Sequence, residues 1–407
     1  MATPTNDRGM KSRTGDVRPL LLGGGAVPFR RYRDGSSFRD WVRTASKDAI
    51  AEAGIDSADI DAVVVASESD FLSLQVAPAS VLLDDIGLVP RPVVRVEGGG
   101  ASGANALRVG VMHIMSGQAR RVLVVGFEQA ASHLSGEDVR MIYALSFDAD
   151  VDGMAGATTA GLYALSIQEH MARFGTTREQ LALVSVKNHA NAANNPWAHK
   201  PMELTVEDVL SSPMVSSPYR VLDCSLISDG AAAVVLCHPR HAPSTDDPQV
   251  RIAGSGCATD HVRLGDRAER YRFTAKQRSA RSAYAMAGVN DPARQIDVAE
   301  LYDAFTGAEI QGVEALGLWP EGQSGAASAA GEFNGDGPLP VNLSGGLIGQ
   351  GGVPGATGIM QALTMQRLLT GRYWPGAQPQ KDLRRGVIDA HGGICTISVT
   401  HVLDRIE

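Results

Sequence analysis

At 407 residues the chain is longer than one ordinary hydrophobic core, which predicts two domains or one large double unit. Hydrophobic residues make up 44% and charged residues 20%, and the net charge of −8 is spread without long runs, so the composition favours a globular enzyme and predicts neither nucleic-acid nor membrane binding. The four cysteines lack the spacing of a zinc site, which predicts no metal in this chain, and the polar N-terminus without an apolar run predicts a cytoplasmic protein.

Strand and helix patterns alternate along most of the chain. "PLLLGGGAVPF" predicts an opening strand, "SFRDWVRTASKDAIAEAG" a helix that ends at Gly54, and "IDAVVVAS" a buried strand. "GANALRVGVMHIMSG" then predicts a helix and "ARRVLVVGFE" another strand. Such alternation is typical of parallel sheets with crossover helices. Residues 134–159 interrupt this alternation of strand and helix patterns and predict an inserted loop region.

The order of elements in the first half returns in the second. "AIAEAGIDSADIDAVVVASES" (49–69) and "AYAMAGVNDPARQIDVAELYDAF" (283–305) are each a helix end, a glycine, a polar turn, Ile-Asp and a strand. A glycine-rich corner and a helix follow each copy, and a polar, proline-bearing linker lies at 241–249. Chance similarity between two α/β segments is the alternative. The repeat predicts two similar halves, residues 1–245 and 246–407.

Three longer motifs resemble a known family. They are similar, in residue pattern and in order along the chain, to motifs of thiolases of the sterol-carrier-protein-X and lipid-transfer type. The motifs are "VKNHANAANNPWAHKP", "VLDCSLISDGAAAVVL" and "VAELYDAFTGAEI". The resemblance covers the chain from about residue 20 to the end. It implies an α/β thiolase fold, with two similar βαβαβαββ halves in a five-layer αβαβα arrangement, and at least a homodimer. It leaves the activity open, because sites vary on a shared fold.

The positions that carry catalysis in that family hold other residues here. The family's cysteine corner reads "VEGGGASG", with Gly100 at the position of the nucleophile, and its histidine corner has Gly352 at the position of the histidine. The third element reads Tyr-Asp-Ala-Phe, with Tyr302 at the position of a polarising Asn or His. Acyl transfer needs a thiolate or an equally activated nucleophile, so the resemblance implies that condensation and thiolysis are lost. The two glycines further imply a pocket widened for a branched or ring-bearing acyl group.

The remaining pattern resembles the thiolase-like aldolases of steroid side-chain degradation, although their second tyrosine is missing from "GGVPG". Retro-aldol cleavage needs a base for the β-hydroxyl proton and hydrogen-bond donors for the developing enolate. The predicted catalytic residues are Tyr302, which moves the proton, His391 as a possible second proton carrier, and Asp303, which supports the loop rather than acts as base. The predicted activity is retro-aldol cleavage, or the reverse aldol addition, of a bulky β-hydroxyacyl-CoA such as a steroid side-chain CoA thioester.

The predicted substrate-binding residues lie in the glycine corners and one neighbouring loop: Gly100, Ser102, His189, Ser344, Gly345 and Gly352. The resemblance implies a small partner with a zinc ribbon and an OB-fold that helps bind CoA. This chain is predicted to hold no cofactor, so any zinc belongs to the partner. Two alternatives stay open: a catalytically silent thiolase-fold subunit that scaffolds or binds CoA thioesters for a partner enzyme, and an acyltransferase or condensing enzyme of natural-product assembly.

Overall fold

The computed structural model describes residues 16–407. Residues 1–15, which hold most of the polar N-terminal segment, lie outside the described residues. The cytoplasmic location inferred from that segment stays a prediction. Within residues 16–407, no helix is both long and apolar enough to cross a bilayer. The strands are β1 (Leu20–Ala26), β2 (Ala62–Ala66), β3 (Val93–Val96), β4 (Arg121–Glu128), β5 (Met214–Ser216), β6 (Tyr219–Arg220), β7 (Gly230–Cys237), β8 (Gln249–Thr259), β9 (Val298–Glu300), β10 (Arg385–Gly392) and β11 (Ile397–Ile406). The helices are α1 (Phe38–Glu52), α2 (Asp70–Ser73), α3 (Pro78–Asp85), α4 (Ser102–Met115), α5 (Gly136–Tyr143), α6 (Thr159–Phe174), α7 (Arg178–Ala192), α8 (Val206–Ser211), α9 (Thr274–Ala287), α10 (Pro292–Gln295), α11 (Thr306–Ala315), α12 (Ser324–Ala329), α13 (Gly346–Gly349) and α14 (Pro354–Leu369).

Nine strands form one mixed sheet in the order β3-β2-β4-β7-β1-β8-β11-β10-β9. The order is mirrored about the junction of β1 with β8. Outward from that junction, each half has two antiparallel pairings (β1 with β7 and β7 with β4; β8 with β11 and β11 with β10) and then a parallel one (β4 with β2; β10 with β9). This arrangement confirms the two similar halves of the predicted fold. The boundary near residue 245 stays a prediction.

Helices α4 and α14 lie between the strands of the two halves. They pack on each other, and α14 also contacts β4 and β7 of the first half and β10 of the second. On the outer faces, α1 covers β1 and β7, while α9 covers β8 and β11. The predicted αβαβα layering is therefore present. The two halves nevertheless share one sheet, because β1 pairs with β8 through Leu20–Arg251 and Leu21–Val250.

The two inner helices approach closely at glycines. A Cβ at Gly103 on α4 would lie 2.6 Å from the carbonyl oxygen of Gly355, and a Cβ at Gly358 on α14 would lie 2.7 Å from the Cβ of Ala104. Any side chain at these positions would force the helices apart, and such overpacking is destabilising. The glycines near the start of each helix thus serve helix packing.

Residues 134–159 differ from the loop that the sequence predicted. They contain α5, a 3₁₀ turn (Ala144–Ser146) and a π-helical turn (Ala149–Gly153). A capping box starts α5: the Ser135 hydroxyl accepts a hydrogen bond from the Asp138 N–H at 3.1 Å, and the Asp138 carboxylate accepts one from the Ser135 N–H at 3.2 Å. The Ser-x-x-Asp pattern of this capping box is the local sequence signal for the helix.

Candidate functional site

A cavity of about 440 Å³ lies where the glycine corners of the two halves meet. Most of its wall is apolar or aromatic, which suits a bulky apolar group of a ligand. The charged or titratable side chains other than tyrosine and cysteine in the lining are Glu68, Arg140 and His391. The apolar and aromatic side chains include Tyr143, Tyr163, Val215, Leu226, Ile227, Tyr302, Phe305 and Leu347.

Tyr302 reaches this cavity from the loop between β9 and α11, and Gly100 makes room for its hydroxyl. A Cβ at residue 100 would overlap the Tyr302 hydroxyl and would lie 2.5 Å from the carbonyl oxygen of His391. The Tyr302 and His391 rings meet edge to face, with their centroids 4.8 Å apart. The space left by the missing side chain at Gly100 is therefore filled by the phenol. The expectation that this glycine widens the pocket is wrong for that reason.

The backbone at Gly352 leaves room for a small side chain. The atoms nearest to a Cβ at this position would be the carbonyl oxygen of Leu226, at 3.4 Å, and Cδ2 of Leu347, at 3.6 Å, which are ordinary contacts. The backbone is held by a hydrogen bond of 2.7 Å from the Gly352 N–H to the Leu226 carbonyl oxygen. Of the two glycines expected to widen the pocket, Gly352 is the one beside which space remains.

His391 lies on β10, fully buried behind Tyr302. Its Nε2 is 2.7 Å from the Tyr163 hydroxyl, and that hydroxyl donates to the carbonyl oxygen of Gly393 at 2.9 Å. Burial, with the positive charge of Lys276, lowers the pKa of His391 to about 4 although Asp389 opposes the shift. Lys276 and Asp389 form a fully buried ion pair of 2.6 Å. His391 is therefore neutral near pH 7.

The Tyr302 phenol is a proton donor in this environment. Burial raises its pKa above the usual value, and the nearby carboxyl groups of Glu68, Asp303, Glu128 and Asp389 raise it further. A phenol with a raised pKa stays protonated at neutral pH and cannot act as the resting base. Tyr302 can donate a hydrogen bond or a proton to a group in the cavity.

Asp303 lies outside the cavity lining and holds the Tyr302 loop. Its carboxylate accepts hydrogen bonds from the Leu347 N–H at 2.6 Å and from the Asn188 side-chain amide at 2.7 Å. The same amide donates to Glu309 at 2.8 Å, and Glu309 pairs with Lys187 at 3.1 Å. Burial, with the charge of Glu309, holds the pKa of Asp303 well above its usual range. This network fits the supporting role predicted for Asp303.

Four predicted substrate-binding residues also lie outside the cavity lining, and each stabilises backbone. The Ser102 hydroxyl donates to the Gly99 carbonyl oxygen at 2.6 Å, and the Ser344 hydroxyl donates to Glu300 at 2.5 Å. Nδ1 of His189 lies 3.0 Å from the carbonyl oxygen of Lys200. Gly345 starts α13 in the left-handed region, at φ 99°. Among the predicted site residues, those that line the cavity are Gly100, Tyr302, Gly352 and His391.

Glu68, Tyr143 and Cys224 are among the polar residues of the cavity wall that the sequence motifs did not indicate. Glu68 follows β2, and its Oε2 is buried without a hydrogen-bond partner among residues 16–407. Tyr143 ends α5, where burial raises its pKa well above the usual value. Burial and Asp223 raise the pKa of the Cys224 thiol to about 12. A charged residue directly after the apolar run "AVVVAS" was a signal for Glu68, because sites gather beyond the carboxyl ends of parallel strands.

No metal site is evident in the part of the chain that the structure describes. The His, Cys, Asp and Glu side chains of that part form no group of three or more that could hold a metal ion.

Comparison with known proteins identifies the family. Residues 27–208 match the family model of the thiolase N-terminal domain, and residues 256–405 match that of thiolase C-terminal domain-like proteins. An acetyl-CoA acetyltransferase of Methanothermobacter thermautotrophicus is 40% identical over 370 residues, which cover 91% of this chain and 95% of that protein. The chain belongs to the thiolase family.

Two further relatives agree with the type of thiolase that the sequence resembles. Sterol carrier protein 2 of Oryctolagus cuniculus is 28% identical over 378 residues, which cover 89% of this chain and 68% of that protein. A solved structure described as the Ltp2-ChsH2(DUF35) aldolase has a TM-score of 0.80 and 24% identity, and covers 95% of this chain and 98% of its own. The structural likeness shows a shared thiolase fold.

Proposed function

We propose that this thiolase-family protein cleaves a bulky β-hydroxyacyl-CoA by a retro-aldol reaction, or forms it by the reverse aldol addition. The observation that carries the proposal is the Tyr302 phenol, which fills the space at Gly100 and lies in the wall of the cavity. A protonated phenol there can supply a proton to an enolate, and the reaction needs no covalent acyl-enzyme. The similar structure Ltp2-ChsH2(DUF35) is described as an aldolase, which supports this reaction class.

In the proposed reaction the β-hydroxyl group loses its proton to a base, and the bond between Cα and Cβ breaks. The electron pair moves onto the acyl-CoA as a thioester enolate, while the other fragment becomes a ketone or an aldehyde. Tyr302 then protonates the enolate, which gives a shortened acyl-CoA. The aromatic rings of Tyr143, Tyr163 and Phe305 and the open space at Gly352 favour a branched or ring-bearing acyl group.

Acyl transfer is the second candidate, since the relative at 40% identity is named an acetyl-CoA acetyltransferase. This chain offers a poor nucleophile for it. Gly100 has no side chain, and Cys224 is the cysteine that lines the cavity among the described residues. With a thiol pKa of about 12, roughly 10⁻⁵ of Cys224 would be thiolate at pH 7. Aldol chemistry therefore fits the cavity better than acyl transfer.

We further propose that the working form is a homodimer that binds a small zinc-ribbon/OB-fold partner, with CoA held between the chains and no cofactor in this one. β3 is an edge strand of the nine-stranded sheet, and three apolar side chains on β3 and the neighbouring α4 are exposed: Val94 (39%), Met112 (51%) and Met115 (40%). Open edges and exposed apolar side chains favour pairing with another chain. We expect light scattering to give a dimer at micromolar concentration, and a monomer would contradict this part.

The Tyr302→Phe variant tests the reaction, because it removes the hydroxyl and keeps the ring. We expect kcat for cleavage to fall by roughly 10²–10⁴, the usual effect of losing one general acid, with an unchanged melting temperature and little change in KM. Tyr284→Phe is the matched control. Its hydroxyl donates to the Leu316 carbonyl oxygen at 2.8 Å on the outer helix α9, away from the cavity. The assay uses the protein with its co-purified partner.

Near-wild-type cleavage by Tyr302→Phe would contradict the assignment and shift it to His391. A stable complex with a partner but no turnover of any CoA thioester would favour the silent-subunit alternative.

A further inference from the structure

The proposed cleavage needs a base, and the catalytic residues assigned above do not supply one. The raised pKa of Tyr302 keeps its phenol protonated. Nε2 of His391 is engaged by the Tyr163 hydroxyl, and its imidazole, with a pKa of about 4, is a weak base. Asp303 lies outside the cavity and accepts hydrogen bonds from Asn188 and Leu347. The base has to be another group of the cavity wall.

Glu68 is the carboxyl group in that wall. It lies two residues beyond the end of β2, and it lines the same cavity as Tyr302. Its main-chain N–H donates to Oε2 of Glu128 at 2.9 Å, which fixes the backbone on which the side chain stands. Its own Oε2 is buried and has no partner within residues 16–407. A buried polar atom without a partner is costly, so this carboxyl group is not held by a full set of hydrogen bonds, and the residue lines the cavity that a ligand hydroxyl would enter.

The charges around Glu68 leave it free to accept a proton. Glu97 follows β3, Glu128 ends β4, and Tyr143 and Tyr302 face it from α5 and the loop after β9, so its near neighbours are acidic or phenolic. Two cations lie in this region. Arg95 on β3 is engaged by Asp70 at 2.5 Å and by the Ser67 hydroxyl at 2.9 Å, and Arg140 on α5, which also lines the cavity, donates from Nε to the Gly136 carbonyl oxygen at 3.2 Å.

Burial, with the charges of Glu128 and Glu97, holds the pKa of Glu68 well above its usual range. Glu68 can accept the proton only as a carboxylate, so its raised pKa moves the acidic limb of the pH–rate profile to higher pH. In the deprotonated form it is a stronger base than an ordinary carboxylate.

We infer that Glu68 is the general base that takes the β-hydroxyl proton, with Tyr302 as the acid. The inference rests on the proposed function. The Glu68 carboxylate gains the hydroxyl proton as the Cα–Cβ bond breaks, and Tyr302 gives its proton to Cα of the enolate. The tyrosinate then recovers a proton from the Glu68 carboxylic acid, directly or through water. The cycle balances without an oxidant or a reductant, and both side chains return to their starting states.

Glu128 is excluded from the same role by its contacts. Its Oε2 accepts hydrogen bonds from the Glu68 N–H at 2.9 Å and from the Gly355 N–H at 3.1 Å. It is fully buried beneath the corner and lies outside the cavity lining. Glu128 therefore positions the backbone of Glu68 and of the start of α14.

The test uses the protein with its co-purified partner and 3-hydroxy-3-phenylpropanoyl-CoA, whose cleavage releases benzaldehyde and acetyl-CoA. For Glu68→Gln we expect kcat to fall by roughly 10²–10⁴, KM to stay within about threefold, and the acidic limb of the pH–rate profile to disappear. Glu68→Asp keeps a carboxylate and should recover part of the rate and the acidic limb. Glu169→Gln is the matched control, because Glu169 is a carboxylate on α6 outside the cavity lining that pairs with Arg270 at 2.9 Å, and the variant should stay within about twofold of the wild-type rate.

The two proposals fail in different ways. If the wild-type complex releases no benzaldehyde and cleaves no bulkier β-hydroxyacyl-CoA, the proposed function fails, and the role of Glu68 fails with it. If the wild type cleaves, and Glu68→Gln retains both the rate and the acidic limb, only the role of Glu68 is overturned. If Glu68→Gln does not fold, Glu68→Asp decides: an unchanged rate and limb overturn the role, and a lower rate with a shifted limb supports it.

Discussion

The two corners have a glycine at the same kind of position, Gly100 and Gly352, but they differ in the space beside that glycine. At Gly100 the Tyr302 hydroxyl and the His391 carbonyl group occupy the space that a side chain would need. At Gly352 the nearest atoms would lie at ordinary contact distance from a Cβ, and the cavity extends into the space. The absence of a side chain therefore leaves space that the Tyr302 phenol fills at one corner and space that a small side chain could fill at the other.

This difference suggests how a thiolase scaffold can change its chemistry. The Tyr302 phenol of the second half occupies the space that a side chain at residue 100 of the first half would need, so under the proposed function the reacting group comes from the second half. The second corner adds volume without adding a functional group. Substitutions of Gly100, His391 and Gly352 test whether the two corners differ in function as they differ in packing.

The largest effect is expected from Gly100→Ala. Its Cβ would overlap the Tyr302 hydroxyl and approach the His391 backbone oxygen, and backbone atoms cannot move aside as a flexible side chain can. We expect cleavage to fall by at least about 10², the weight of one acid–base group, and the free energy of unfolding to fall by about 1–3 kcal/mol from overpacking. Activity assays and denaturant unfolding measure the two effects.

Gly100→Cys has the same Cβ and should gain neither thiolysis nor an acyl adduct by intact mass. Wild-type cleavage by Gly100→Ala would show that the position of the phenol is unimportant.

A smaller effect is expected for His391→Gln, in the pH dependence of the free energy of unfolding. This variant tests whether the imidazole behind Tyr302 is neutral. His391 has a pKa of about 4 in the folded protein against 6.5 in the unfolded chain. Between these values the unfolded state binds more protons, so the contribution of this histidine to stability is present near pH 7 and is lost as the pH falls from 6.5 to 4. The variant has no such titration. We expect the stability gap between wild type and variant to narrow by up to about 3 kcal/mol from pH 7.5 to pH 4.5.

Denaturant unfolding of both proteins at the two pH values measures this gap. A gap that does not depend on pH would show that the imidazole is not held neutral behind Tyr302. The comparison with a variant is needed because Glu128, with a pKa raised to about 8, shifts the stability of both proteins in the opposite direction.

The smallest effect is expected from Gly352→Ala. The new methyl group would make ordinary contacts with Leu226 and Leu347, so the free energy of unfolding should change by less than about 0.5 kcal/mol. It would narrow the cavity slightly, and we expect KM for a ring-bearing acyl-CoA to rise by roughly twofold to fivefold, the effect of about one methylene group in a pocket. Steady-state kinetics with a ring-bearing and a short-chain substrate provide the measurement. A loss as large as that of Gly100→Ala would remove the distinction between the corners.

The sequence by itself determined the fold. Apolar periodicity marked the strands and helices, and the repeat predicted two similar halves. The strand–helix alternation predicted parallel sheets, whereas the sheet is mixed. Equivalent helix ends at Gly54 and Gly288 both adopt the left-handed conformation, with φ of 64° and 69°. These features depend on residues that are neighbours in the chain, so a local pattern is sufficient to predict them. The exception, α5, also had a local signal in its capping box.

Only the tertiary structure decided what the site contains. The sequence named Gly100, Tyr302, Gly352 and His391 through their corner motifs, and all four line the cavity. It did not predict that the Tyr302 hydroxyl fills the space at Gly100, or that Glu68 faces the same cavity. The partners in these arrangements are separated by more than 200 residues, and their contacts follow from the packing of the two halves. No local pattern encodes such a distance, which is why the phenol and the carboxyl group came together only in the folded chain.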